Sequence, residues 1–262
     1  MRRKKKLGLA LGAGAARGLA HIGVLQVLLE HGIEVDMVAG SSMGGIVGGL
    51  FATGTDLYFL EKYAEKFAIK KYLDFSLREG GLVRGKKTEQ LIRLLTKNVG
   101  IEQTRIPFAC VAVDLGSGEL VTFHKNMPLY QAIRATISIP GVFAPYEMGG
   151  RYYIDGGILE RIPVQAVKML GADIVIGVDV LPRGQEENTP PRNAVDTLQR
   201  TLAITDWHIT RQKDYLADLL LLPDVYEGID PYSSKDCRLC VQRGREETLK
   251  HIDEICALVE QS

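Results

Sequence analysis

Largely apolar runs recur along the chain, and each is short enough to be a strand and too apolar to have a wet face. Lys6 to Leu11, Val35 to Ala39, Pro107 to Val113, Asp173 to Val180 and Leu219 to Leu222 read this way. Strands without polar alternation belong to sheets covered on both sides. Between them the period changes to that of a helix. Leu19, Ile22, Val24, Leu25 and Leu28 share a helical stripe that Gly32 closes, and Ile46 to Ala52 forms an apolar, glycine-spaced second helix. The opening is therefore strand, helix, strand, helix, which predicts an α/β fold of three α/β/α layers on a mainly parallel central sheet.

Further along, Asp56 to Phe67 predicts an amphipathic helix, Lys70 to Gly85 an irregular stretch with Arg78 and Arg84, and Lys87 to Asn98 another helix. Pro107 to Val113 and Glu119 to His124 flank the turn Asp114-Leu115-Gly116-Ser117-Gly118, the pattern of a hairpin. Leu129 to Thr136 is a short helix, after which Ser138 to Pro145 is an apolar loop fixed by Pro140 and Pro145. That loop suits an acyl-pocket wall or a rigid cover for the core. Pro163 to Leu170 is a helix opened by proline, Leu181 to Pro191 a polar loop, and Asn193 to Tyr215 and Asp236 to Val259 are closing helices. With no internal repeat or low-complexity linker, residues 1–262 read as one domain, its motifs within 7–180 and the helices of 193–262 part of the same unit.

Charge removes one class of partner. Lys plus Arg and Asp plus Glu both number 32, so there is no overall attraction to nucleic acid. The one charge run, Arg2 to Lys6, is a solvated tail that could touch an anionic membrane transiently. Followed by Leu7 to Ala16 it mimics a secretory signal. The apolar part is short and glycine-rich, Arg17 follows directly, and cleavage would strip the first helix of its strand, so the reading is a cytoplasmic protein, at most peripheral at the membrane. No run of eighteen apolar residues predicts a membrane-spanning helix.

The chemistry concentrates at Gly40-Ser41-Ser42-Met43-Gly44, a G-x-S-x-G pentapeptide between a predicted strand and a predicted helix. Small residues are needed there because a sharp strand-to-helix turn brings two backbones together, and the turn pushes the central Ser42 outward as a candidate nucleophile. Backbone N–H groups at the helix start, that of Met43 among them, point where an oxyanion would form. Upstream, the small-residue loop Gly12-Ala13-Gly14-Ala15-Ala16-Arg17-Gly18 joins the first strand to its helix. It breaks the dinucleotide fingerprint, since Arg17 stands where the third glycine belongs, and serves better as a nest of N–H donors. Downstream, Asp155-Gly156-Gly157 puts a short carboxylate on an unobstructed turn, a candidate general base or an ordinary turn aspartate.

These three motifs, in this order, resemble the patatin-like phospholipase family and its small bacterial members. Leu19 to Leu25, Ile139 to Pro145 and Gly171 to Ile176 add to the resemblance, which covers roughly the first 180 residues. The family implies a serine acyl hydrolase, an esterase acting on lipid acyl esters as a phospholipase A or lysophospholipase does. It implies a Ser–Asp dyad, here Ser42 as nucleophile and Asp155 as base, with the oxyanion held by the loop near Gly14 and Ala15 and the loop anchored by Arg17. No metal or cofactor is implied. Ala13 and Ala15 depart from the family's usual glycines and Arg161 from its usual asparagine. A catalytically weak regulatory or protein-binding relative is the alternative.

Other residues are weighed against that reading. His208 or His251 could complete a Ser, Asp, His order, but both fall in amphipathic helices where packing or exposure explains them, and His21 beside the loop suits its support. Cys237 and Cys240 form one C-x-x-C without a second pair, too little for zinc, while Cys110 and Cys256 fit buried thiols.

Overall fold

A computed structural model of the chain describes residues 5–66, 81–181, 183, 190–191, 193–212, 216–226, 229 and 235–260. Ten strands and nine α-helices are named among them. The strands are β1 Leu7–Leu11, β2 Met37–Gly40, β3 Gly81–Val83, β4 Phe108–Asp114, β5 Leu120–Phe123, β6 Gly141–Phe143, β7 Tyr146–Met148, β8 Arg151–Asp155, β9 Ile174–Val178 and β10 Leu219–Leu221. The helices are α1 Ala20–Glu30, α2 Met43–Ala52, α3 Leu57–Lys66, α4 Lys86–Leu95, α5 Leu129–Thr136, α6 Val164–Met169, α7 Ala194–Thr210, α8 Cys237–Lys250 and α9 Ile252–Glu260.

The main sheet runs β10-β9-β1-β2-β4-β8-β7, with β5 also on β4. From β10 to β4 every pairing is parallel, and β5, β8 and β7 add antiparallel pairings at the other side. The apolar runs are explained by the layers above and below. Along β1, Leu7, Leu9 and Leu11 enter the larger core with α1, α2, α3, α5 and α8, while Ala10 enters a second core under α6. The same alternation divides Phe108 and Cys110 from Ala109 and Val111 on β4. Period two is present, but both faces are dry, so sequence shows only a continuous apolar run. Each fully buried Leu, Ile or Val contributes about 1.5–3 kcal/mol relative to exposure.

Helix α1 is buried almost all round because α8 covers its outer side at unusually short range. A Cβ on Gly23 would lie 2.0 Å from the Val241 carbonyl oxygen, and one on Gly244 would lie 2.0 Å from that of Ala20. The two glycines let the backbones cross in contact, and Arg245 paired with Glu30 at 2.8 Å closes the seam. Thus α8, from the C-terminal part of the chain, packs onto the first helix.

Several boundaries differ from the sequence reading for local reasons. Helix α4 ends at Leu95 because Lys97 and Asn98 take left-handed backbone, φ 53° and 55°. The single closing helix is two, since His251 at φ −107°, ψ 9° leaves helical geometry between α8 and α9. Within the expected loop 138–145, Gly141 at φ +78° turns the chain into β6, which pairs parallel with β3. Residues 67–80 of the expected irregular stretch and helix end, Met1 to Lys4 of the basic tail, most of the 181–191 loop and the expected end of α7 at 213–215 lie outside the described residues. Among the described residues, no helix is long and apolar enough to cross a membrane.

Candidate active site

Gly40 ends β2 and Met43 begins α2, so the G-x-S-x-G sequence turns from strand to helix within two residues. Its glycines are required by distance. A Cβ on Gly40 would meet the Gly44 carbonyl oxygen at 2.3 Å, and one on Gly44 would meet the Leu11 carbonyl oxygen at 2.1 Å. Between them Ser42 is held at φ 52°, ψ −119°, a region that costs a residue with a side chain about 1–3 kcal/mol and that persists only where neighbours enforce it. The Ser41 N–H donates to Leu11 O at 3.0 Å, and Ser41 O accepts from the Gly44 N–H at 2.9 Å. The Ser42 N–H donates to Thr136 Oγ1 at 3.0 Å.

Asp155 arrives from the antiparallel side, at the end of β8, where it pairs with Ala112 of β4. Gly156 packs on the Val111 carbonyl oxygen, 2.3 Å from a hypothetical Cβ, and the Gly157 N–H donates to Asp155 Oδ1 at 2.8 Å. The Asp155 carboxylate lies within reach of the Ser42 hydroxyl, which favours its ionised form. Ser42 and Asp155 are 4% and 5% exposed. Burial raises the Asp155 pKa to about 6, against the lowering effect of Ser42 and of the hydrogen bond from Gly157. The result is a carboxylate that is ionised at neutral pH and more basic than an exposed one.

The loop after β1 lies alongside. The Gly12 N–H donates to Val178 O and the Ala13 N–H to Arg161 O, both at 2.9 Å, so these two amides are occupied. Gly14 packs on Val180, leaving 2.3 Å to Val180 Cγ2 for any added Cβ. Ala15 opens a 3₁₀ turn, Ala15–Leu19, and the first amides of such a turn have no acceptor within it. Its φ is 49°, so the alanine at this position does sit in left-handed backbone, whereas Ala13 does not. Gly18 faces Met43, 2.6 Å from Met43 Cγ to a hypothetical Cβ, which seats the loop on the elbow. Arg17 is half-buried within electrostatic reach of the Cys240 thiol at the start of α8.

The other sequence candidates separate clearly. His21 is fully buried, its Nε2–H donating to Gly12 O at 2.8 Å, and burial lowers its pKa to about 4, so it is neutral and supports the loop. His208 is exposed on α7, and His251 hydrogen-bonds Glu254 at 3.1 Å between α8 and α9. Among the described residues, the Asp155 side chain has Ser42 and Gly157 as partners and no histidine. Cys237 and Cys240 are free, buried thiols pushed up to about 12 and about 11 by burial, and no cluster of three or more metal-binding side chains is present among the described residues.

Two groups have roles that the sequence reading does not assign. Thr136, the last residue of α5, holds the Ser42 amide. Arg161, a departure in sequence, is a fully buried cation whose Nε pairs with Asp179 at 2.7 Å and whose Nη1 pairs with Asp206 at 3.3 Å, so that β9 and α7 are tied behind the loop. Asp206 is raised to about 7, with burial outweighing Arg161. A cavity of about 20 Å³ beside Arg161, Glu160 and Thr210 has room for one water and lies apart from Ser42.

Fold and site together define an α/β protein with a strained serine elbow, a facing carboxylate and a small-residue loop. The chain belongs to the patatin-like phospholipase family, whose sequence profile matches residues 9–168. It is 40% identical over 204 residues to an NTE-family protein of Mycobacterium tuberculosis, covering 76% of this chain and 56% of that one. It is 31% identical over 200 residues to the lysophospholipase NTE1 of Debaryomyces hansenii, covering 74% of this chain and 13% of that one. The chain thus spans about half the length of the mycobacterial relative and a small part of the yeast one. In fold it is similar to VipD of Legionella pneumophila, with a TM-score of 0.69 at 15% identity over 96% of this chain and 67% of that one. It is also similar to ExoU of Pseudomonas aeruginosa, solved with SpcU, with a TM-score of 0.56 at 15% identity over 96% of this chain and 53% of that one.

Proposed function

We propose that the protein is a serine acyl hydrolase acting on lipid acyl esters, lysophospholipids among them. The observation that carries the reading is a buried Asp155 carboxylate within reach of the hydroxyl of Ser42, which a strained elbow holds. Ser42 Oγ attacks the ester carbonyl and Asp155 takes the hydroxyl proton. The tetrahedral oxyanion is held by N–H groups of Met43 and of the loop at Gly14 and Ala15, with Gly12, Arg17 and Gly18 holding the loop in place. Asp155 returns the proton to the departing alcohol, leaving Ser42 acylated. Water then gives its proton to Asp155 and its oxygen to the acyl carbon, and Ser42 leaves with that proton.

A dyad suffices because the base is tuned. An aspartate near its ordinary pKa accepts a serine proton poorly, and burial that raises Asp155 to about 6 brings it closer to the working pH while leaving it ionised. The family and the lysophospholipase relative support the lipid substrate class. The test is hydrolysis of a short and a long p-nitrophenyl ester by wild type, Ser42→Ala and Asp155→Ala, with folding checked by circular dichroism. Loss of turnover in both variants is expected; full activity in Ser42→Ala would overturn the reading.

A further inference from the structure

The amide of Ser42 is held by a distant side chain. Thr136 Oγ1 accepts it at 3.0 Å and donates its own proton to Val111 O at 2.5 Å, so the hydroxyl of this fully buried residue spans the elbow and β4. Val111 O is also the atom on which Gly156 packs, next to Asp155. Two residues beyond Thr136, Ser138 O accepts the Asp155 N–H at 3.0 Å. Ser138 is itself fixed, its Oγ accepting from Arg134 Nη1 at 2.8 Å and donating to Arg134 O at 3.0 Å. Arg134 is fully buried, with a second nitrogen on Arg84 O at 2.9 Å and its guanidinium over the rings of Phe143 and Tyr146. The end of α5 thus supports the backbone of both Ser42 and Asp155.

We infer that Thr136 is a positioning residue for the proposed reaction: its hydroxyl, joining the Ser42 amide to the Val111 carbonyl, sets the separation of Ser42 from Asp155. The inference rests on the hydrolase reading of that pair. A left-handed serine has no strand partner for its N–H, and the elbow is free to relax once that amide is released. Relaxation moves Ser42 Oγ relative to both Asp155 and the oxyanion donors, which slows the chemical step without weakening ground-state binding.

The experiment compares kcat and KM on a p-nitrophenyl ester for wild type, Thr136→Val, Thr136→Ser and Ser42→Ala, with amide hydrogen exchange at residues 41–43. Valine keeps the shape and removes the hydroxyl; serine keeps the hydroxyl and removes the methyl that faces Gly45. Thr136→Val is expected to lower kcat about tenfold to a hundredfold with KM within about twofold, and Thr136→Ser to stay within about threefold of wild type. Should valine prevent folding, Thr136→Ala against Thr136→Ser makes the same comparison, since both lack the methyl and differ by the hydroxyl. Wild-type turnover without the hydroxyl, or an equal loss in the serine variant, overturns the inference. If Ser42→Ala remains active, the hydrolase reading fails. The hold of Thr136 on the elbow then stands only if the Ser42 amide exchanges faster in the valine or alanine variant and not in the serine variant.

Discussion

Asp155 lies within reach of the Ser42 hydroxyl at a site almost sealed from water, and burial pushes its pKa up to about 6, above the ordinary aspartate range. Activity that depends on an ionised base should therefore rise through about pH 6 and level off above it. A kcat/KM profile from pH 4.5 to 8.5 measures this, and a limb near pH 4 would contradict it.

The same shift makes Asp155 a cost to the fold at working pH. A carboxylate whose folded pKa is raised favours the native state below its unfolded pKa, near 3.8, and loses that contribution as pH rises through about 6. Asp155→Asn is accordingly expected to be inactive and more stable than wild type by about 2–3 kcal/mol at pH 8, with the gain gone near pH 3.5. Urea unfolding at both pH values tests it.

Ala15 occupies left-handed backbone at φ 49° in the loop assigned to the oxyanion. Ala15→Gly removes the Cβ penalty there and gives back part of the gain through unfolded-chain entropy, so stability should rise by up to about 1 kcal/mol. Turnover should be unchanged or higher. A fall in melting temperature would show that the loop does not carry this strain.

Gly44 meets Leu11 O so closely that no side chain fits, whereas the Arg161 cluster can lose a member without a clash. Gly44→Ala is expected to abolish both activity and native folding, read by circular dichroism. Arg161→Met leaves the fully buried Asp179 with Arg183 at 2.9 Å and should cost about 3–5 kcal/mol, measured by urea unfolding.

What sequence disclosed and withheld follows from range. The strands of the parallel half and the three motifs were legible because a dry strand, a backbone crossing and a tight turn each impose residue types on consecutive positions. Thr136 was not, because its role is a hydrogen bond across 94 residues to Ser42, and nothing about a threonine ending a helix announces it. Arg161 looked like a departure and is a buried counter-charge to Asp179 and Asp206, 18 and 45 residues away. His21 was legible in part: its place beside the loop suggested support, but its depressed pKa requires the burial that only packing creates.

The most direct test of the hydrolase claim is covalent labelling with a fluorophosphonate, followed by mass spectrometry of the modified peptide. A single adduct on Ser42 is expected, absent in Ser42→Ala and strongly slowed in Asp155→Asn. An unlabelled wild type, or an adduct elsewhere that Ser42→Ala still carries, would contradict the claim.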